Sequence, residues 1–307
     1  MAMHFTLRQL IIFQAVADKL SFTRAAEALH LSQPAVSMQI RQLEDHVELP
    51  LFEQLGRKVY LTEAGRELND YCRRITDQLR ELEEVLNAFK GVTAGSLRVS
   101  VATTANEFSA RMLAGFGQQQ PGSVLSLDVT NRATLIHQLN ANECDLVIMG
   151  RPPDGLDVVA HPFLKNPLVV IASPSHPLAG NTDIALTRLA AEPFVLREPG
   201  SGTRGAMERV FAAQGVALNR RMELGSNEAI KQVVSAGLGL AVVSAHTVVQ
   251  ELETGRLVIL QVEAFPILRE WYLVYRRGKR LSPVAQAFCE FVLQNAETFR
   301  ATSALPD

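Results

Sequence analysis

Two sets of residues stand out for their chemistry. The run Glu198-Pro199-Gly200-Ser201-Gly202-Thr203-Arg204 packs two glycines, two hydroxyls and an arginine into seven positions. Set between a strand and a helix, it lets backbone N–H groups converge on one point while Ser201, Thr203 and Arg204 add donors, which is the chemistry of anion binding. Thr103 and Thr104, just after a strand ending at Ala102, and Ser226-Asn227, at a helix start, can add donors to the same cleft. Taken singly, each group also reads as an ordinary cap or turn.

The second set lies near the N-terminus. Val36, Ile40, Leu43 and Val47 form the apolar face of a helix, leaving Gln33, Ser37, Met38, Arg41 and Gln42 on or near the other side. On a helix that enters a DNA major groove, Gln33 can pair with adenine, Arg41 with guanine or phosphate, and Ser32 and Ser37 with phosphates. Thr23, Pro34 and Met38 fall on the same surface, and Arg57 and Lys58, at the tip of a small hairpin, would reach the backbone or minor groove.

These residues need elements to hold them. Helical spacing predicts a first helix over 7–18, a short second one over 24–29 with Ser21 or Thr23 as its cap, and a third running to about 47, capped by Ser32 with Pro34 in its first turn. Two short helices joined by a tight turn make a helix-turn-helix, and residues 51–61 read as a wing. Residues 63–90 read as one long helix in which Leu68, Cys72, Ile75, Leu79, Leu82, Leu86 and Phe89 recur at alternating spacings of four and three, a seam suited to pairing two chains. Residues 91–95 form a hinge. Short strands then alternate with helices over 97–102, 106 onward, 124–129, 133–139, 145–149, 168–172, 194–196, 205 onward, 227–236, 240–244, 257–260 and 271–275, with a closing helix after Ser282-Pro283. That pattern predicts mainly parallel sheets in two α/β lobes with a cleft between them. The expected domains are a winged helix-turn-helix over 1–62, a linker and dimerisation segment over 63–94, and a two-lobed ligand-binding domain over 95–307.

Composition narrows the classes further. A chain of 307 residues, 47% hydrophobic and 20% charged, is an ordinary globular protein of about two domains. The net charge of −2 advertises no nucleic acid, and residues 1–62 carry six basic and six acidic side chains, so the case for DNA rests on the pattern of residues. Three widely spaced cysteines form neither a disulfide framework nor a CxxC motif. The uncharged stretch 232–250 is too polar for a membrane span, and Gln14 cuts the apolar start to four residues, too short for a signal peptide; a cytoplasmic location is expected. Enzyme signals fail. Gly237-Leu238-Gly239 precedes a strand where a dinucleotide loop would follow one, Ser201 lacks a nucleophile elbow, and His4, His30, His46, His137, His161, His176 and His246 show no ligand spacing. No catalytic set, metal or bound cofactor is expected.

The run FTRAAEALHLSQPAVSMQIRQLE over residues 22–44, followed by Leu51-Phe52 and Leu61-Thr62-Glu63-Ala64-Gly65, closely resembles the DNA-binding region of LysR-type transcriptional regulators. The resemblance implies a winged helix-turn-helix joined to a periplasmic-binding-protein-like effector domain, promoter DNA with an interrupted palindrome as partner, a homodimer and tetramer, and contact with RNA polymerase. A narrower resemblance, carried by Met149-Gly150-Arg151-Pro152-Pro153, Leu196 with the 197–204 run, residues 224–232 and Lys279-Arg280-Leu281-Ser282-Pro283, is to the Calvin-cycle (RuBisCO operon) regulators within that family. It implies an anionic effector, with ribulose bisphosphate, phosphoenolpyruvate and NADPH as candidates. Asn106 stands where this resemblance implies a basic residue, and Arg132 or Arg151 could compensate. Two other readings stay open: a regulator of another pathway with a carboxylate effector, and a two-lobed solute-binding protein or small-metabolite enzyme whose first 90 residues serve assembly.

Overall fold

The computed structural model describes residues 5–56, 58–89 and 95–299, and of residues 80, 81, 84, 85 and 87–89 the backbone alone. Arg57, most of the expected hinge and the Phe89 side chain lie outside what is described. The chain divides into two compact units, Met1–Leu86 with Ala141–Glu143, and Asn87–Asn140 with Cys144–Asp307. No helix among the described residues is long and apolar enough to cross a membrane.

In the first unit, α1 (Leu7–Lys19) opens on a capping box: the Gln9 amide donates to Thr6 Oγ1 at 3.2 Å and the Thr6 amide to Gln9 Oε1 at 2.9 Å. Helix α2 (Phe22–Ala28) starts at the Ser21 cap, two residues earlier than spacing predicts, so Thr23 is exposed in its first turn rather than capping it. His30 turns the chain with φ 54° into α3 (Gln33–Val47), capped by Ser32. Strands β1 (Phe52–Leu55) and β2 (Lys58–Leu61) pair as an antiparallel wing, and α4 (Glu63–Phe89) follows. Phe13, Val16, Val36, Ile40 and Leu43 make the core, with Phe52 5.2 Å from Phe13 and 5.7 Å from Phe22 between ring centroids. Each such side chain removed from water stabilises by about 1.5–3 kcal/mol.

Cys72 is 0% exposed and belongs to this same core, with Leu68 packed against it. At this end the expected seam meets the unit's own core: Cys72 is spent there, while Leu68 is half-buried. Ile75, Leu82 and Leu86 remain 40%, 52% and 49% exposed, with Leu79 half-buried, so an open apolar stripe begins at Ile75.

The second unit has two lobes. The first is built from β3 (Ser96–Ala102), α5 (Asn106–Gln119), β4 (Val124–Thr130), α6 (Arg132–Asn140), β5 (Leu146–Gly150) and β6 (Val158–Lys165). The second holds β7 (Leu168–Ala172), α7 (Leu186–Ala190), β8 (Phe194–Arg197), α8 (Gly202–Ala213), β9 (Arg220–Leu224), α9 (Asn227–Ser235), β10 (Ala241–Ser244), α10 (Val249–Glu253) and β11 (Val258–Leu260). The chain then returns to the first lobe as β12 (Glu270–Arg276) and closes with α11 (Pro283–Asn295). Helices α5 and α11 bury Phe108, Phe116 and Phe288 on one face of the first sheet, while Leu135 and Leu139 of α6 cover the other.

The mainly parallel expectation is half corrected. Strand β3 runs parallel to β4 and β5, and β8 to β9, but β12 is antiparallel to β5 and β6, and β7 to β10 and β11. The cause is the double crossing between lobes. Outgoing residues 166–168 and returning residues 267–269 lie side by side, with the Asn166 amide donating to the Arg269 carbonyl at 2.7 Å and Leu168 and Ile267 exchanging bonds of 3.0 Å. A chain that returns beside its own exit must enter β12 against β6. Helix α8 also starts at Gly202, three residues before the expected 205.

Candidate functional site

The first unit presents the outer face of α3. Gln33, Pro34, Met38, Arg41 and Gln42 are exposed and Ser37 is half-exposed. Gln33 Nε2 donates to Ser37 Oγ at 2.9 Å, which holds the Gln33 amide in one orientation before any contact. Ser32 Oγ accepts from the Ala35 amide at 3.4 Å as the helix cap. Lys58 is exposed at the start of β2. One residue that spacing did not single out ties wing to helix: Glu44 Oε1 accepts from the amides of Leu51 at 2.8 Å and Phe52 at 3.2 Å. No short-range signal marks it, since its partners lie seven and eight residues on. A polar helix face beside a basic hairpin suits phosphate positioning and base-edge contact. Gln33→Ala and Arg41→Ala are each expected to weaken specific DNA binding about 5–150-fold, the equivalent of about 1–3 kcal/mol per bidentate contact. Ligand affinity should stay unchanged, checked by fluorescence anisotropy and calorimetry.

The second unit brings the ends of several elements together. Thr103 and Thr104 sit in a single 3-10 turn after β3, Arg197 ends β8, residues 198–201 lead into α8, and Asn227 opens α9. Thr104, Ser201, Thr203, Arg197 and Trp271 are buried around a small cavity of about 30 Å³. Gly200, at φ +85°, makes the turn that aims this loop, a conformation that side chains other than glycine resist. Ser201 stands at the cap position of α8, but its hydroxyl makes no capping bond. Trp271 lines the same cavity, and its Nε1 is buried with no hydrogen-bond partner among the described residues, a donor that calls for an acceptor.

Three of the expected residues also bond within the unit, Thr103 and Asn227 as acceptors and Arg204 as a donor. Arg197, 3% exposed, is held by both oxygens of Glu198 (Nε to Oε2 2.7 Å, Nη2 to Oε1 2.9 Å), by Asn227 Oδ1 at 2.6 Å and by Thr103 Oγ1 at 3.0 Å. Thr103 and Asn227 therefore hold an arginine and, through it, join the two lobes. Arg204 donates to Glu208 at 2.9 Å, to Glu223 at 2.7 Å and to the Arg197 carbonyl at 2.9 Å, and those carboxylates raise its pKa. Its pairing with Glu208 at i+4 is legible as helical spacing; the central place of Arg197 is not, because its partners come from three separate elements. Asn106 is exposed at the start of α5, and Arg151 is exposed with Asp154 at 3.6 Å, whereas Arg132 lines this cavity.

The cysteines take no part. Burial pushes the thiols of Cys72 and Cys144 up to about 11 and that of Cys289 up to about 12, so each stays protonated at neutral pH.

A winged helix-turn-helix joined to a two-lobed α/β unit with a donor-lined cleft is the build of a ligand-responsive DNA-binding protein. The chain matches the bacterial regulatory helix-turn-helix protein, lysR family, over residues 7–66 and the LysR substrate binding domain over residues 90–297. It is 60% identical over 294 residues to the RuBisCO operon transcriptional regulator of Allochromatium vinosum, covering 96% of this chain and 97% of that one. It is 45% identical over 292 residues to the transcriptional regulator CbbR of Rhodospirillum rubrum, with 95% and 97% covered. Among solved structures it is similar to the regulatory domain of CcmR from Synechocystis PCC6803 in complex with 2-PG, at 44% identity and a TM-score of 0.64, covering 69% of this chain and 100% of that one. The chain belongs to the LysR family of DNA-binding transcriptional regulators.

Proposed function

We propose that this chain controls carbon-fixation genes of the Calvin cycle, and that an anionic, phosphorylated metabolite entering the cleft of the second unit changes how the first unit holds DNA. The observation that carries this reading is the 60% identity, over nearly the whole chain, to a RuBisCO operon regulator. The cleft chemistry supports it, since Ser201, Thr203, Thr104 and the free Trp271 donor suit an oxyanion, and a domain 44% identical to this one has been solved with 2-PG. Ribulose bisphosphate, phosphoenolpyruvate, NADPH and 2-PG are the candidate effectors. Two chains pair through the apolar stripe of α4 from Ile75 onward, assemble further into a tetramer, and hold an interrupted palindrome in the cytoplasm, where RNA polymerase is a second contact. A ligand that favours one arrangement of lobes shifts the population, and the protein carries that shift to the DNA contacts.

Thermal stability of the purified protein tests the effector class. A bound ligand at about 100 times its Kd adds about 2.7 kcal/mol, so a selective rise in Tm with the phosphorylated compounds is expected. A rise only with dicarboxylic or aromatic acids would instead make the chain a regulator of another pathway. Ser201→Ala, Thr203→Ala and Thr104→Ala should each abolish most of the ligand-induced Tm shift while leaving basal DNA binding within about twofold, since each removes about 1.5–3 kcal/mol of charge-assisted bonding from the ligand alone. Unchanged ligand affinity in all three would sink the cleft assignment.

A further inference from the structure

The cleft opens into a pocket of about 1250 Å³ whose wall contains Arg132, Arg209 and Arg269. Several other inward cations of this unit pair with carboxylates: Arg197 with Glu198, Arg204 with Glu208 and Glu223, Lys231 with Glu228 and Glu251, Lys279 with Asp145. Among the described residues, none of the three pocket arginines has such a partner. The pocket's own carboxylates are engaged elsewhere, Glu208 with Arg204 and Arg220, Asp154 with Arg151, and Glu270 with the Tyr272 hydroxyl.

Two glycines border these guanidinium groups: a Cβ on Gly150 would lie 2.3 Å from Arg269 Nη2, the mobile end of that side chain, and one on Gly202 would make ordinary contacts of 3.5 Å to the same atom and 3.8 Å to Arg132 Cδ. Backbone carbonyls orient the pair: Arg269 Nη1 donates to the Gly202 carbonyl at 3.0 Å and Arg132 Nη2 to the Arg151 carbonyl at 2.7 Å. Burial, then the charges of Arg132 and Arg209, pull the Arg269 pKa down to about 10, and burial, then Arg209, lowers that of Arg132. At about 10, Arg269 stays cationic at neutral pH, and a cluster of arginines without paired carboxylates is what an incoming anion relieves. A separate feature points the same way: Trp271, whose buried Nε1 has no partner among the described residues, lines the cavity that shares Arg132, Arg269, Ser201 and Gly202 with this wall.

We propose that Arg132, Arg209 and Arg269 form a second oxyanion-binding locus beside the hydroxyl-lined cleft, so that this unit selects ligands carrying two separated anionic groups, one for each locus. The inference rests on the reading of the cleft as an anion site. Calorimetry on the full-length protein tests it with ribulose bisphosphate, with ribulose 5-phosphate, which lacks one phosphate, and with inorganic phosphate. The wild type should bind the bisphosphate at least about 10-fold more tightly than the monophosphate, the worth of one charge-assisted contact. In Arg209→Gln, whose side chain lines the larger pocket and not the hydroxyl-lined cavity, that advantage should fall below about threefold with monophosphate affinity unchanged. Arg209 is exposed, so its variant should keep the wild-type melting profile; Arg269→Lys, which keeps the charge and loses the fork, should give an intermediate loss.

Inorganic phosphate that binds the wild type but not Arg209→Gln, without displacing the monophosphate, would support the locus with a free oxyanion as its occupant. Equal affinities of the two sugar phosphates in the wild type, or equal losses for both in Arg209→Gln, would overturn the proposal while leaving the effector reading in place. If the wild type binds DNA but neither sugar phosphate nor inorganic phosphate, the second locus is overturned, while the effector reading passes to phosphoenolpyruvate, NADPH and 2-PG.

Discussion

Arg197→Met is expected to lower the melting temperature of the second unit by about 6–12 °C and to remove its response to ligand. The guanidinium is 3% exposed and satisfies Glu198, Asn227 and Thr103 at once. Methionine fills much of the volume but leaves the carboxylate, the amide oxygen and the hydroxyl without their donor. Breaking one side of a buried pair costs about 3–5 kcal/mol, and the lower end applies because Glu198 keeps 23% of its side-chain surface in water. For a unit of this size about 3 kcal/mol corresponds to the stated shift. The first unit should melt as before. Arg197→Lys should recover only part of the loss, since one ammonium cannot reproduce a fork that reaches three partners. A Tm within about 2 °C of the wild type in Arg197→Met would show that the network contributes little, contrary to this reading.

Gly65→Ala should act on the other unit. Gly65 lies in the first turn of α4, where an added Cβ would sit 2.0 Å from the Leu51 carbonyl oxygen, backbone that cannot swing aside. The same stretch is locked by Thr62, whose Oγ1 donates to the Pro50 carbonyl at 2.7 Å and accepts from the Gly65 amide at 3.0 Å, and by Glu44 holding the Leu51 amide. Relief of the clash must push α4 off the wing, at about 3 kcal/mol. Loss of operator binding is expected, with a fall of about 12–24 °C in the melting of the first unit. Ligand affinity of the second unit should persist. Differential scanning calorimetry with an anisotropy titration reads all three, and wild-type DNA affinity in Gly65→Ala would refute the tight α4–wing contact.

The two units differ in how much of them the sequence makes legible, and the difference follows from the range of the contacts. In the first unit, Ser21, Ser32 and Thr62 cap the helices that follow them and apolar residues recur at helical spacing, so short-range rules place nearly every element. Apart from the start of α2, the ambiguity concerns the far face of a helix: Cys72 fits the heptad, but a heptad does not say whether its partner is another chain or the same domain. In the second unit β6 escapes notice because Pro162 interrupts a mixed burial pattern, which an edge strand tolerates, and β9 because all but its last residue are exposed. The direction of β12 depends on where the chain comes back from the other lobe, which no local pattern encodes. The loop 198–204 is visible from its glycines and hydroxyls. Arg197 and Arg269 gain their importance only when β3, β8, α9 and β12 meet, and Thr103 and Asn227 support Arg197 through their oxygens at that same meeting.

The most direct test is footprinting of the full-length protein on RuBisCO operon promoter DNA at several salt concentrations, with and without ribulose bisphosphate and 2-PG. The expected result is protection of an interrupted palindrome, binding that falls steeply with salt because phosphate contacts release counterions, and a ligand-dependent change in the protected region. Affinity for that promoter no greater than for unrelated DNA, or a footprint that none of the phosphorylated compounds alters, would contradict the assignment.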